Sequence, residues 1–357
     1  MEGVCTGKVE VRQSGRRNGM KQVFPVGVAV VLGAVVSLAG CNPPKLGKKA
    51  EVAKPPGYKT TLVVVPGGQS GEFWKAMRAG VDDAARKHDI VIEWSATKTD
   101  PPSLEEQKKL VRAATDKQVE GILVAPVARV GMVPAIDKAS KKRVPIVVIE
   151  SGADTNFQLA LISSHNEQVG ALVASHVGQI TGGTGKVGLV VNQSRSFSVS
   201  EREISFVQSL SMKSPGNKLV STHDGVTGKS KIASDTSKML DANPDLKAIV
   251  AFDEEATLTA LKALRSRKLT GKVKLVGLDA GAQALAALKG GEIEALVVQN
   301  PYQMGSMGVD AIMEFRKTSN RQVKRIYSSS ALITKASLNR PEGKAALTLG
   351  VPEKAKK

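Results

Sequence analysis

Continuous apolar runs alternate with helical stripes along most of this chain. Thr61–Val65 is an unbroken β-branched run, as expected of a strand covered on both faces. Phe73–His88 follows with helical spacing, placing Phe73, Met77, Val81 and Ala84/Ala85 on one side. The alternation continues with a strand at Ile90–Trp94, a helix at Leu104–Lys117, a strand at Gly121–Ala125, a helix at Val133–Lys141, and strands at Val144–Ile149 and Leu159–Ser163. Ser103 and Glu106 have the spacing of a capping box for the second of these helices. The pattern then repeats. Helices are expected at Val169–Thr181, Ile204–Leu210, Ser230–Asp241, Ala256–Arg267, Ala282–Gly290 and Met304–Thr318. Strands are expected at Gly185–Val191, Lys218–Thr222, Leu246–Ala251, Lys272–Gly277 and Ile293–Gln299. Strand–helix alternation implies parallel sheets with helices on both faces. Roughly ten strands divide into two sets of five, so the expected fold is α/β, with two doubly wound, Rossmann-like lobes and a cleft between them.

The segment before Tyr58 has a different pattern. A basic stretch containing Arg16, Arg17 and Lys21 precedes the apolar run Val23–Ala39, and Leu38-Ala39-Gly40 leads into Cys41. A positive region, a short apolar region and small residues at the cut read as a secretory signal. The run is slightly short for a transmembrane helix, the competing reading. Cys41 directly after Leu-Ala-Gly resembles the bacterial lipobox, which implies a signal over residues 1–40, lipidation of Cys41, and export to the cell envelope on a lipid anchor. Met20, followed by Lys21 and the apolar run, is an alternative start. Residues 42–57, rich in Pro, Lys and Gly, read as a tether.

Composition narrows the function. The 357 residues are 41% hydrophobic and 24% charged, enough for two globular domains. Cys5 and Cys41 are the only cysteines, so the body after Cys41 holds no disulfide, thiolate nucleophile or cysteine metal site. The net charge of +18 raises nucleic-acid binding, but export and an aromatic content of 3% leave little for it to work with. The expected reading is no nucleic-acid partner and a basic surface drawn to anionic head groups. The four histidines have no metal spacing and no Gly-x-Ser-x-Gly elbow occurs, so no enzyme, metal or cofactor is expected.

Ligands of open α/β sheets bind beyond the carboxyl ends of the strands. Phe73 and Trp74 stand there as flat stacking surfaces. Glu150-Ser151, Asp253, Asp279 and Gln299 follow four other strands, offering carboxylates and amides to a hydroxyl-rich ligand. Helix capping is the competing role for such acids, and it suits Glu254 and Glu255 better than Asp253 or Asp279.

Five of these segments resemble, in order, the ribose-binding type of periplasmic binding proteins. They are Gly71-Glu-Phe-Trp74, Gly121-Ile-Leu-Val-Ala-Pro126, Phe252-Asp-Glu254, Gly277-Leu-Asp-Ala-Gly281 and Val297-Val-Gln-Asn-Pro-Tyr-Gln-Met-Gly305. The resemblance covers about residues 58–338. It implies the type 1 periplasmic binding protein fold with a three-segment hinge, acting as the monomeric substrate-binding subunit of an ABC importer that closes on a monosaccharide or similar small polar ligand. The permease and, through Cys41, the membrane are the implied partners. A ligand-sensing subunit for a receptor or kinase is the alternative. The expected lobes are 58–165 plus 300–326 and 166–299 plus 327–338, with 339–357 a basic tail. The chain departs from the family pattern at two arginines: Glu150-Ser151 replaces Asp-Arg, and Ser200 falls where a second ligand arginine belongs. Retained acids without cleft arginines predict a ligand with a positive group. Swinging in of Arg195 or Arg202 is the alternative.

Overall fold

The computed structural model describes residues 59–100, 102–190, 196–221, 229–321 and 323–351. The expectations for the signal, Cys41, the tether, Arg195 and the last six residues lie outside these.

The first half of the chain runs β1 (Thr61–Val65), α1 (Gly71–His88), β2 (Val91–Trp94), α2 (Leu104–Asp116), β3 (Gly121–Val124), α3 (Val133–Lys141), β4 (Ile146–Ile149) and β5 (Ala160–Ser164). The second half runs α4 (Asn166–Thr181), β6 (Thr184–Val190), α5 (Phe197–Lys213), β7 (Gly216–Ser221), α6 (Lys229–Ala242), β8 (Leu246–Ala251), α7 (Glu254–Ser266), β9 (Lys274–Leu278), α8 (Ala282–Gly290) and β10 (Ala295–Gln299). The chain then continues through α9 (Pro301–Thr318), β11 (Lys324–Ser328), β12 (Ser330–Thr334) and α10 (Pro341–Leu347).

Two six-stranded sheets result, ordered β11-β5-β4-β3-β1-β2 and β12-β10-β9-β8-β6-β7. The orders superimpose, so β4 and β9 hold equivalent places, as do β5 and β10. All pairings are parallel except β10 with β12, which corrects the expectation of wholly parallel sheets. Leu62, Val63, Val64 and Val65 of β1 are almost wholly buried, as an apolar run covered by helices on both sides requires. In α2, Ser103 Oγ accepts from Glu106 N (3.2 Å), but the Glu106 carboxylate accepts from Lys98 N (2.7 Å), so the expected capping box is only half made.

Three crossings join the lobes, at His165, Asn300 and Ser329. The third lies beyond Ile326, because Tyr327 and Ser328 still pair with Ser163 and Ser164 in the first sheet. The expected second-lobe segment 327–338 therefore begins two residues too early. The crossings are bonded to one another. Asn300 Nδ2 donates to Ser329 Oγ (2.9 Å), Ser329 N donates to Gln303 Oε1 (2.8 Å), and the His165 ring stacks on Tyr327 with centroids 4.1 Å apart. His165 also caps α4, accepting from Gln168 N. The expected tail at 339–357 is corrected as well. α10 and the turn after it pack Ala346, Leu347 and Leu349 on the second-lobe core, and Leu349 O accepts from Tyr302 N of α9. Among the described residues, no helix is long and apolar enough to cross a membrane.

Candidate functional site

The carboxyl ends of both sheets border one cavity of about 930 Å³. Phe73, Trp74 and Glu150 line it from the first lobe. Asp253, Asp279 and Gln299 line it from the second. Ser151 and Ser200, expected at the ligand, do not line it. The left-handed turn at Glu150 carries Ser151 into the first-lobe interior, where it is 1% exposed. Ser200 lies on α5 beside, not within, the stripe formed by Val199 and Arg202.

Glu150 and Asp279 follow the equivalent strands β4 and β9, and both adopt positive φ, at 65° and 63°. That region is uncommon for residues other than glycine. Each is held there by a backbone N–H that donates to the next strand, Glu150 to Ile162 O (2.8 Å) and Asp279 to Val297 O (2.8 Å). The same turn thus delivers a carboxyl group to the cavity from each lobe.

The cleft retains an arginine, which corrects the expectation that both were lost. Arg202, 2% exposed, lies among the buried residues of α5, with Val199 and Phe206 on the same face. Its Nε donates to Asn166 Oδ1 (2.8 Å), Nη1 to Phe252 O (3.1 Å) and Nη2 to Gln299 Oε1 (2.8 Å). All three acceptors are neutral. Gln299 Oε1 also accepts from Ser164 Oγ (3.0 Å), and its Nε2 donates to Asp279 Oδ1 (3.0 Å). Gln299 therefore links the guanidinium to the carboxylate without a direct ion pair. Arg202 is one of the two arginines that the alternative reading of the sequence offered, and its place within an apolar helical stripe is the signal that marks it.

Asp253 has the capping role that the sequence reading assigned to its neighbours. It is the N-cap of α7, with Oδ1 accepting from Ala256 N (2.8 Å), while it also borders the cavity. Phe73 and Trp74 meet edge to face at 5.3 Å. Trp74 lies against Gly67 and Gly68, and a Cβ on Gly68 would strike the indole, so glycine here sets the ring's position. Across the mouth, Ser198 Oγ donates to Glu150 O (2.6 Å), Arg325 bonds Glu201 (2.8 Å), and Phe197 lies under the guanidinium groups of Arg129 and Arg325. Among the described residues, no cluster of three or more His, Cys, Asp or Glu could hold a metal.

Desolvation raises Glu150 to about 7, opposed by Arg202 and aided by Asp279. Desolvation likewise raises Asp279 to about 6, opposed by its bond from Gln299 and by Arg202. The folded protein thus binds more protons at these sites than the unfolded chain between the ordinary carboxylate range and neutrality. Their contribution to stability is fully present below the unfolded pKa and is lost as pH rises through 6 to 7. Urea denaturation of the ligand-free protein is expected to show this fall, and Glu150→Gln is expected to flatten it. An equally steep fall in the variant would remove Glu150 as its source.

Two α/β lobes with matching sheets, three crossings and a polar, aromatic-edged cleft define a two-lobed binding protein. The comparisons agree. A model described as periplasmic binding protein domain matches residues 62–317, and the chain belongs to that family. It is 25% identical over 257 residues to the D-allose-binding periplasmic protein of Escherichia coli (strain K12), covering 70% of this chain and 82% of that one. It is 23% identical to the ribose import binding protein RbsB of Bacillus subtilis (strain 168), covering 67% and 76%. Among solved structures, a carbohydrate transporter solute binding protein from Agrobacterium radiobacter in complex with D-arabinose superimposes with a TM-score of 0.72 at 24% identity, covering 81% of this chain and 98% of that one. An ABC transporter solute binding protein from Agrobacterium vitis with bound D-fucose gives 0.71 at 26% identity, covering 80% and 98%. The fold is that of the type 1 periplasmic binding proteins.

Proposed function

We propose that this chain is the substrate-binding lipoprotein of an ABC-type importer, capturing a monosaccharide or sugar derivative by closure of its lobes. The carrying observation is the pair of carboxyl groups on equivalent turns, Glu150 in one lobe and Asp279 in the other, bordering one cavity with Phe73 and Trp74. A ligand bonded by both lobes stabilises the closed form, because opening breaks half of its contacts. The aromatic pair would cover the apolar C–H face of a sugar ring while the carboxylates accept its hydroxyl hydrogens. Relatives named for allose and ribose, and neighbours holding arabinose and fucose, support this ligand class. They also support export to the periplasm and an ABC permease as partner.

Thermal shift of the purified protein against pentoses, hexoses, polyols and amino sugars tests the reading, since a ligand of the folded state raises Tm by mass action. No shift with any of them would end it. Trp74→Ala is expected to weaken the best ligand about tenfold to a hundredfold, the value of one buried ring face, by isothermal titration. An unchanged affinity would take Trp74 out of the site. We place the lipid on Cys41 and expect a monomer. Cys41→Ala is expected to move the protein from the membrane fraction to the soluble one, and intact-mass measurement reads the lipid directly.

A further inference from the structure

The cleft has the opposite charge balance to the chain. The sequence holds 51 lysines and arginines against 33 aspartates and glutamates. The cavity is bordered by six acids, Asp100, Glu150, Asp253, Glu254, Glu255 and Asp279, and by three bases, Arg202, Lys262 and Arg265. Two of those bases are engaged elsewhere. Arg265 bonds both carboxylate oxygens of Glu292 (2.9 and 2.6 Å), and Arg202 directs its bonds to Asn166, Phe252 and Gln299. Lys262 is exposed at the rim.

The acids differ in how they are held. Asp100 accepts from the backbone and hydroxyl of Ser70, Asp253 caps α7, and Asp279 is bonded by Gln299. Glu150 is half-buried at the cavity wall, and its carboxyl group accepts no hydrogen bond from any described residue. Its backbone N–H and C=O are both bonded, to Ile162 and Ser198, so the turn is fixed while the side chain is left for the cavity. A carboxylate partly withdrawn from water and without a donor gains when something supplies one.

We propose that Glu150 seats a positively charged group of the ligand, so that the cleft selects a sugar or polyol bearing an ammonium group over its neutral parent. This rests on the sugar-binding reading above and narrows it. An ammonium supplies both the missing donors and the missing charge, whereas a hydroxyl supplies only a donor. The π faces of Phe73 and Trp74 in the same cavity favour a cation further. The charged groups facing Glu150 are Arg202 of α5 and Asp279 after β9, with Asp253 and Asp100 on the same cavity. Arg202 lowers Glu150 only partly, and its raised value of about 7 leaves a proton for an incoming cation to displace. Binding of the cation is therefore expected to release protons near neutrality and to strengthen from pH 6 towards pH 7.5.

The test is isothermal titration of the full-length protein with D-glucosamine, D-galactosamine and D-allosamine beside D-glucose, D-galactose and D-allose, at pH 7.5 and 6. At least one amino sugar is expected to bind about thirtyfold or more tightly than its neutral parent at pH 7.5, the value of a desolvated charge pair. Glu150→Gln is expected to erase that preference, costing the amino sugar about thirtyfold in affinity and its neutral parent clearly less. Wild-type protein that binds neutral parents as tightly as amino sugars overturns the inference and leaves the sugar-binding reading standing. So does a Glu150→Gln variant that weakens both kinds equally, because Glu150 is then an ordinary hydroxyl acceptor. Binding of neither kind overturns both. The wild-type comparison requires no substitution, so a misfolded variant does not shield the proposal.

Discussion

Replacing Arg202 with methionine is expected to lower the free energy of unfolding by about 3–5 kcal/mol, the cost of removing one side of a buried charged network. The guanidinium holds Asn166, the Phe252 carbonyl and Gln299 at once, from a position 2% exposed. Methionine fills much of the volume but leaves Asn166 Oδ1 and Phe252 O without this donor. Gln299 Oε1 keeps only Ser164. Lysine is not a substitute, since one ammonium cannot reproduce a planar fork reaching three acceptors. The variant carries an electrostatic signature as well. Arg202 holds down both Glu150 and Asp279, so both carboxyl groups are expected to titrate higher without it. Urea denaturation and carboxyl-carbon NMR titration measure the two effects. A loss below about 1 kcal/mol would mean that solvent replaces the guanidinium, and that the network does not join the elements around the cleft.

The second large effect is expected from one methyl group at Gly80. Alanine normally stabilises a helix interior by about 1 kcal/mol relative to glycine. At Gly80 of α1, however, the added Cβ falls on the backbone of Tyr302 at the start of α9, and at Gly305 of α9 it falls on Met77 O of α1. The two helices touch backbone to backbone, each through a glycine of its own. A backbone cannot turn aside as a flexible side chain can, so Gly80→Ala is expected to destabilise by about 3 kcal/mol, the upper end of ordinary overpacking. Thermal or chemical denaturation decides the sign. Stabilisation by the helix-propensity amount would show that α1 and α9 stand further apart.

The central strands were legible because burial on both faces leaves an unbroken apolar run, as in Thr61–Val65 and Ile146–Ile149. The edge strands β2 and β7 were legible too, but β11 and β12 were not. Lys324-Arg-Ile-Tyr-Ser328 is largely exposed and carries charge at its first two positions, so no run marks it as a strand. The early turns of α5 were missed for another reason. Phe197-Ser-Val-Ser200 has little helical propensity, and the helix begins there because Ser196 Oγ caps Val199 N and because the Phe197 ring meets the guanidinium groups of Arg129 and Arg325. The lining role of Phe73, Trp74, Glu150, Asp253, Asp279 and Gln299 followed from one topological rule, that ligands gather past strand ends. Arg202 lies within a helix, where that rule is silent. The capping role of Asp253 depends on where α7 begins, which the sequence reading placed two residues late.

The strand orders have a consequence for how this protein is made. The first sheet receives its edge strand β11 from residues 324–328, and its core includes Met304, Val309 and Ile312 of α9. A ribosome has therefore synthesised nearly the whole second lobe before the first can close its core. Such long-range closure is slow relative to local folding. Through most of translation the leading part of the chain therefore lacks the helix and the edge strand that complete its own lobe.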